Sequence, residues 1–600
     1  MRETMVLSTP YDLFGSEFMD TVQGVVDDQG RPVDGMDFVC RTARAPRQQI
    51  VEEFGKVDVT DHRAVASFLD TYFEPRLNLS SRYVPAERNL REHSLHMLTD
   101  VLVCKDANPT EQYPKTQYLP LKEEFVVPDV ERFPGIMFGW DDREVVDGLL
   151  YLARTLDFTS EKEMQLEERI VSLVESIIQN KADLIDMLGY VPNGTVVSLA
   201  TRAQPPMFAD TLDLYAKYRQ WRSGGMEVVT DQHPLVKYLP QMLRELNWWG
   251  RGKQHLEQHS TVDASEHVVR MRDKNGRPVG YMYRYYDRRN TPRDESHRED
   301  MELARMALKY DPSADIGALF GHIRAAAESG WDFSYSRQNK RPEEPWTNVA
   351  GNRIPPDLNA MIARSMELAA QGCELSGQLP GAGEDKKQWT RFEAQRLKTE
   401  KKELDTLLNR FNWNPATNLY HDYDFVEQKV VFAQTLASMF PLYSGSAPPE
   451  RERLLIERER DFRIAGGWGT SMHDLEGQWD GKRRMWPILL RFTQQALERS
   501  GHVDLAQRGR GRVVHAYSQI FAQTGKVPEK ADGFLIAPVQ AGEYTLHGDL
   551  AMSLGAISAM LCEVLIERDS LAKTVSELGG NAGQRRVQLQ MLNAALTHYH

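Results

Sequence analysis

The sequence predicts an all-α fold in which inner and outer helices build a toroid. Three observations carry this expectation: helical periodicity dominates beyond about residue 140, the helices are of two kinds, and strand signals are few. In residues 163–188, Leu166, Ile170, Leu173 and Ile177 recur at steps of four and three, which sets them on one face, and Gly189 stands where a C-cap glycine belongs. Residues 389–411 repeat the design, with Trp389, Phe392, Leu404, Leu407, Leu408 and Phe411 as the apolar side and a run of Lys, Arg and Glu as a solvated face. Residues 430–440, 486–497 and 554–566 are apolar around most of their circumference, as suits helices packed on both sides. Pro487 fits an early helical position and Gly501 a stop, and a further helix over residues 512–522 closes at Gly525.

Residues 267–271 and 279–284 flank Asn275-Gly276, a dipeptide that supplies the positive φ of a hairpin turn, and residues 195–199 read as another short strand. These are decorations on a helical body. Residues 372–385 and 444–449 read as loops, and no sequence repeat is visible. The organisation expected is one structural domain, with residues 1–110 as an irregular extension wrapping a body of residues 111–600.

A net charge of −13 repels a phosphate backbone or an anionic membrane surface, so no nucleic-acid or membrane partner is expected and a small neutral molecule fits better. The basic run Arg508-Gly509-Arg510-Gly511-Arg512 lacks a wider basic, aromatic surface and reads as a solvated loop preceding a helix. Cys40, Cys104, Cys373 and Cys562 lie far apart, without CxxC spacing, and read as buried thiols; no metal or cofactor is expected. The first ten residues lack the basic and apolar regions of a secretion signal, and no apolar run is long enough to span a membrane, which predicts a cytoplasmic location.

Among 86 acidic residues, only the local setting singles any out. In Ser329-Gly330-Trp331-Asp332-Phe333-Ser334, Asp332 stands where a helix ends, between aromatic neighbours that would desolvate its carboxyl, the condition an acid catalyst needs. Taken alone, an exposed aspartate capping the next helix is the commoner reading. Glu529 follows a helix in Val527-Pro528-Glu529-Lys530, where a solvated Glu–Lys pair is the plain alternative. Glu543 in Gly542-Glu543-Tyr544 and the polar stretch Pro292-Arg293-Asp294-Glu295-Ser296 are equally unspecific one at a time.

Their order along the chain is harder to attribute to chance. Residues 13–23 look like an opening segment and Asp37-Phe38-Val39 like a worn landmark. Phe125-Val126-Val127-Pro128 through Arg132-Phe133 to Trp140-Asp141, Asn193-Gly194 followed by Arg202-Ala203-Gln204-Pro205-Pro206, and Tyr283-Arg284-Tyr285-Tyr286-Asp287 leading to Arg293 and Glu295 come next. Then follow the Asp332 hexapeptide, Ile354-Pro355-Pro356-Asp357-Leu358-Asn359, Trp413-Asn414 through Asp422-Tyr423-Asp424, and Gln478-Trp479-Asp480 through Trp486-Pro487. Glu529 and Glu543 complete the series. This series resembles the trehalases of glycoside hydrolase family 37 over nearly the whole chain.

The resemblance implies an (α/α)6 barrel and an inverting hydrolysis of α,α-trehalose to two glucose molecules, with Asp332 as general acid and Glu529 as general base. It implies sugar contacts from Arg132, Trp140, Asp141, Asn193, Arg202, Gln204, Arg293, Glu295 and Glu543, with Gly330 admitting close approach to the backbone. Trp479 reads either as a stacking platform or as core. Asp129-Val130-Glu131 departs from the family's glycine pair in the first signature, and residues 537–542 are poor in glycine where the family has a Gly-rich lid. Two other readings stay open: a related inverting α-glycosidase for another small glucoside such as glucosylglycerate, and a sugar-binding homologue without turnover.

Overall fold

The computed structural model describes residues 9–25, 38–39, 43–73, 90–101, 141–194, 198–225, 229–475, 477–539 and 551–577. Outer and inner helices alternate along the chain. The first pair is α1 (Leu90–His96) and α2 (Asp141–Arg154), and the second is α3 (Glu161–Leu188) and α4 (Phe208–Arg222). The third outer helix, α5 (Leu239–Trp249), reaches its inner partner only after a hairpin and an excursion through α6 (His297–Tyr310) and α7 (Ile316–Glu328). That partner is α8 (Pro356–Gly377), followed by α9 (Glu384–Phe411) and α10 (Phe440–Tyr443). The last pairs are α11 (Pro449–Glu459) with α12 (Pro487–Arg499), and α13 (Val503–Thr524) with α14 (Ala551–Glu577).

Each inner helix packs on the next: α2 on α4, α4 on α8, α8 on α10, α10 on α12, α12 on α14, and α14 back onto α2. The result is a closed (α/α)6 barrel. Outer α3 and α13 are amphipathic, as their apolar spacing dictates, and both end on a left-handed glycine, Gly189 at φ 91° and Gly525 at φ 69°.

Closure depends on backbone contact. A Cβ on Gly148 of α2 would lie 2.6 Å from the Gly555 Cα of α14, and one on Gly555 would lie 2.1 Å from the Glu144 carbonyl oxygen. All six inner helices also feed one buried polar system. Arg143 Nε donates to Asp210 Oδ2 at 3.0 Å, Tyr443 OH donates to Asp210 Oδ1 at 2.7 Å, and Arg364 Nη2 donates to Asp213 Oδ2 at 2.6 Å. Arg491 bridges Asp147 at 2.7 Å and Glu563 at 2.9 Å. Burial raises the Asp210 carboxyl pKa, but Arg143, Arg364 and the Tyr443 hydroxyl outweigh it and hold the group at about 2.

Several sequence expectations need correction. Residues 430–440 are not one helix: chain extended through Lys429–Val430 leads to a 3-10 turn, Leu436–Met439, and then to the short α10. Their apolar character comes from burial of the entry to an inner helix, which composition alone does not distinguish from a longer helix. Trp389 and Phe392 stand exposed on α9, whereas Leu404, Leu407, Leu408 and Phe411 are buried, because the covered stripe runs from Thr390 through Ala394 and Leu397 to Leu404 and leaves Trp389 and Phe392 to one side. The expected loop of residues 372–385 shrinks, since α8 runs on to Gly377; Gly372 lies inside it, where a Cβ would meet the Leu235 carbonyl oxygen at 2.4 Å. The basic run of residues 508–512 is helical, within α13, with Arg510 buried against Glu563 and Glu567.

The hairpin pairs Val268–Arg272 with Pro278–Tyr283 around Gly276 at φ 76°. Of the expected strand at 195–199, residues 195–197 lie outside the described residues, and Ser198 and Leu199 form a turn. Cys373 and Cys562 are buried free thiols, while Cys40 and Cys104 lie outside the described residues. Among the described residues no helix is long and apolar enough to cross a membrane.

The described parts of residues 9–73 add helices Pro10–Phe14, Ser16–Gln23, Arg47–Phe54 and His62–Tyr72 around a second apolar cluster. Phe18 is its centre, against Phe14, Phe38, Phe54, Phe68 and Phe73.

Because no side chain fits at the α2–α14 crossing, Gly555→Ala is expected to lower stability by about 1–3 kcal/mol or more through forced separation of the two helices. Denaturant unfolding monitored by circular dichroism measures this; an unchanged midpoint would show that the crossing is not tight.

Candidate active site

Alternation of outer and inner helices makes the inner ones run in the same direction, so the chain segments that enter them meet at one end of the barrel. The segment entering α4 is folded back on itself by an antiparallel bridge between Pro192 and Ala203, with Asn193 N donating to the Arg202 carbonyl at 2.9 Å. Arg202 Nη2 then donates to Glu295 Oε1 at 2.5 Å and to Asn193 Oδ1 at 3.3 Å. Three of the residues singled out from the sequence, Asn193, Arg202 and Glu295, are thus brought together in a buried cluster. Burial raises the Glu295 carboxyl pKa, but Arg202, Arg293 and Arg324 more than offset it and leave the net shift downward. Arg202 Nε and Nη1, Gln204 Oε1 and Glu295 Oε2 are buried polar atoms with no hydrogen-bond partner among the described residues, leaving donors and acceptors of the kind that sugar hydroxyls satisfy.

Arg293 is buried as well. Its Nη2 donates to Asp300 Oδ1 at 2.6 Å, its backbone N–H to Asp300 Oδ2 at 2.7 Å, and its guanidinium lies 4.9 Å from the Phe333 ring centre. Asp300, in the first turn of α6, thus holds Arg293.

The Asp332 segment is fixed from several directions. Gly330 turns the chain at φ 73° after α7, and Trp331 is fully buried, 5.0 Å from Trp479 and covered by the Arg337 guanidinium at 4.3 Å. Arg337 in turn donates to Asp357 Oδ1 at 2.6 Å and to Asp422 Oδ2 at 2.9 Å. On the other side, the Ser334 and Ser336 hydroxyls donate to Asp480 Oδ1 at 3.1 and 2.5 Å, and Trp479 N donates to the Phe333 carbonyl at 3.2 Å. Burial raises the Asp480 carboxyl pKa, against which these serine bonds act. Trp479 stacks on Trp486 at 3.6 Å and is buried, so it belongs to the core and is no exposed platform.

Glu529 follows α13 and precedes the strand Ala531–Asp532, which pairs with Arg484–Met485. Its side chain and that of Lys530 are both buried, so the plain alternative of a solvated pair does not apply. Lys530 Nζ lies 3.8 Å from Glu529 Oε2 and 5.2 Å from the Trp486 ring centre. Burial pushes the Lys530 ammonium down; Glu529 opposes this, Arg484 adds to it, and Asp332 opposes it too. Glu529 and Asp332 thus both bear on the Lys530 ammonium, Glu529 from 3.8 Å. Asp332 is half-buried there.

Arg132, Trp140 and Glu543 lie outside the described residues, as does the side chain of Asp141, the first residue of α2. Sequence reasoning missed Lys530 as a member of the site and Arg337 as its support. The signal for Lys530 was its position beside Glu529; for Arg337, whose partners come from two remote segments, there was none.

The trehalase family profile matches residues 48–548. A periplasmic trehalase of Escherichia coli O139:H28 is 27% identical over 483 residues, 80% of this chain and 75% of the relative. A putative periplasmic trehalase of Escherichia coli O157:H7 is also 27% identical, over 80% of this chain and 76% of its own. The neutral trehalase of Saccharomyces cerevisiae shares the fold, with a TM-score of 0.54 at 16% identity, covering 88% of this chain and 90% of that one. The expected cytoplasmic location is corrected by these curated relatives, which are named as periplasmic. That expectation rested on two absences, of a leader pattern and of a membrane-spanning run, and neither is a positive signal for any compartment. Matched by the family profile over most of its length and folded as the same barrel, the chain belongs to the trehalase family and is a glycoside hydrolase.

Proposed function

We propose that the protein hydrolyses α,α-trehalose to two glucose molecules with inversion, Asp332 acting as general acid and Glu529 as general base. The observation that carries this reading is the buried Asn193–Arg202–Glu295 cluster, whose unpartnered donors and acceptors suit sugar hydroxyls, in a chain that also buries the Glu529–Lys530 pair. Breaking a glycosidic bond needs a proton for the departing oxygen and an activated water at the anomeric carbon. The Asp332 carboxyl gives its proton to the bridging oxygen as the bond from that oxygen to the anomeric carbon breaks. The Glu529 carboxylate takes a proton from water, whose oxygen bonds to the anomeric carbon from the opposite face. The Lys530 ammonium lies 3.8 Å from Glu529 Oε2, beside the acid assigned here as base.

Arg202, Asn193, Gln204 and Glu295 supply hydroxyl partners, with Arg293 held by Asp300 at their edge and Gly330 admitting the ring close to the backbone. Arg132, Trp140, Asp141 and Glu543 complete the pocket in this reading, on the strength of the resemblance alone. A second reading, hydrolysis of another small glucoside such as glucosylglycerate, is favoured by the glycine-poor stretch 537–542 and the altered first signature. Glucose release from glucosylglycerate with none from trehalose would replace the first reading with the second.

Asp332→Asn and Glu529→Gln are each expected to lower kcat by roughly 10²–10⁴-fold with little change in KM, measured by glucose release from trehalose. Unchanged turnover in either variant removes that residue from its role. Proton NMR during turnover is expected to show one α- and one β-glucose per trehalose, because only the attacked ring inverts. Two α-anomers as first products would contradict inversion.

A further inference from the structure

The N-terminal helices Pro10–Phe14 and Ser16–Gln23 do not pack on the barrel at random: their polar groups converge on the segment that carries Arg293 and Glu295. Tyr11 N donates to Asp294 Oδ1 at 2.5 Å, and the Gln23 amide donates through Nε2 to the Asp294 carbonyl at 2.5 Å. Gln23 Oε1 accepts from Arg298 N at 3.0 Å, and the Gln23 carbonyl accepts from Arg298 Nη1 at 3.2 Å. Arg289 pairs with Asp12, and His297 Nε2 lies 3.2 Å from Asp20 Oδ1. Gln23, Asp294 and His297 are buried, so the bonds that Gln23 makes to Asp294 are shielded from water, while Asp12 and Asp20 stand at the edge of the contact.

This contact is anchored independently of the barrel. The second helix is fastened by Phe18 and Val22, and the first by Tyr11 and Phe14, to a second apolar core, separate from the barrel's own. Residues 9–25 also precede the segment matched by the family profile, which begins at residue 48.

We infer that residues 9–25 are a clamp that sets the substrate-contacting geometry of Arg293 and Glu295 from behind, by holding the intervening Asp294 and the following residues 297–298. The inference rests on the proposed function in taking Arg293 and Glu295 as sugar contacts. Asp294 lies between these two, so its carboxylate and its carbonyl are tied on the clamp side while Asp300 and Arg202 hold its neighbours on the barrel side. Gln23 is the positioning residue, because one amide satisfies a carbonyl and an N–H four residues apart. Without it the segment keeps its barrel contacts but loses the partners that fix its register.

The test uses the full-length protein with Gln23→Ala, and with Asp12→Ala as a second variant at a more exposed pair. The clamp predicts that KM for trehalose rises roughly tenfold in Gln23→Ala while kcat stays within about twofold. It also predicts that amide hydrogen exchange quickens at residues 289–298 and not across the barrel helices, with a smaller change of the same kind in Asp12→Ala. Wild-type exchange at 289–298 in both variants, or a uniform rise throughout the barrel, overturns the clamp. Failure of the unsubstituted protein to hydrolyse trehalose would instead overturn the proposed function, and the exchange measurement would still decide the clamp.

Discussion

A ring of helices positions its entry segments only if the last helix meets the first, and here that meeting allows no side chain. Gly148 and Gly555 let α2 and α14 touch backbone to backbone. Segments that enter inner helices more than three hundred residues apart, Asn193 and Arg202 before α4, Glu529 and Lys530 before α14, then belong to the same ring. The charges inside the ring serve the same end. Burying Arg143, Asp210, Arg491 and Glu563 is unfavourable unless each finds its partner, and each partner stands on a different inner helix. Any ring that omits a helix or shifts one by a turn leaves a charge unpaired, so the network favours this arrangement over its neighbours even where its net stabilisation is small.

Above the ring, the site is braced by residues that do not themselves face a substrate. Arg337 covers Trp331 and ties Asp357 to Asp422, joining three segments that are remote in sequence. Asn359 accepts from Tyr283 N at 3.0 Å and donates to the Tyr283 carbonyl at 2.9 Å, fixing the strand that leads towards Arg293. Glu328, at the end of α7, accepts from Ala203 N at 3.1 Å and Tyr286 N at 2.7 Å and meets His267 Nε2 at 3.1 Å. Several motifs that drew attention in the sequence thus hold other loops in place. This division of labour suits a reaction in which displacement of an acid by about 1 Å is costly.

How much of this was legible follows from the range of the interactions. The outer helices α3 and α13 and their glycine caps were readable because a 3.6-residue period and a left-handed C-cap are local properties. Of the inner helices, α12 and α14 were readable as apolar bodies, but the partners of Arg143 and Arg491 were not, since these lie on other helices. Residues 430–440 were misread because burial without periodicity does not separate a helix from an extended entry segment. The run at 508–512 was misread because Arg510 finds Glu563 and Glu567 on α14. In the site, ordered resemblance led to Asp332, Arg202 and Glu295, while the burial of Lys530 and the reach of Gln23 to Asp294 required the fold.

In the proposed reaction, Asp332 and Glu529 act from opposite faces of one sugar. A crystal structure with a non-hydrolysable trehalose analogue bound measures it most directly. The two carboxyl groups are expected on either side of the anomeric carbon, about 6.5–9.5 Å apart, with Asp332 within hydrogen-bond reach of the bridging atom and a water between Glu529 and the ring. Both carboxyls on the same face, or an analogue seated away from either of them, would contradict it.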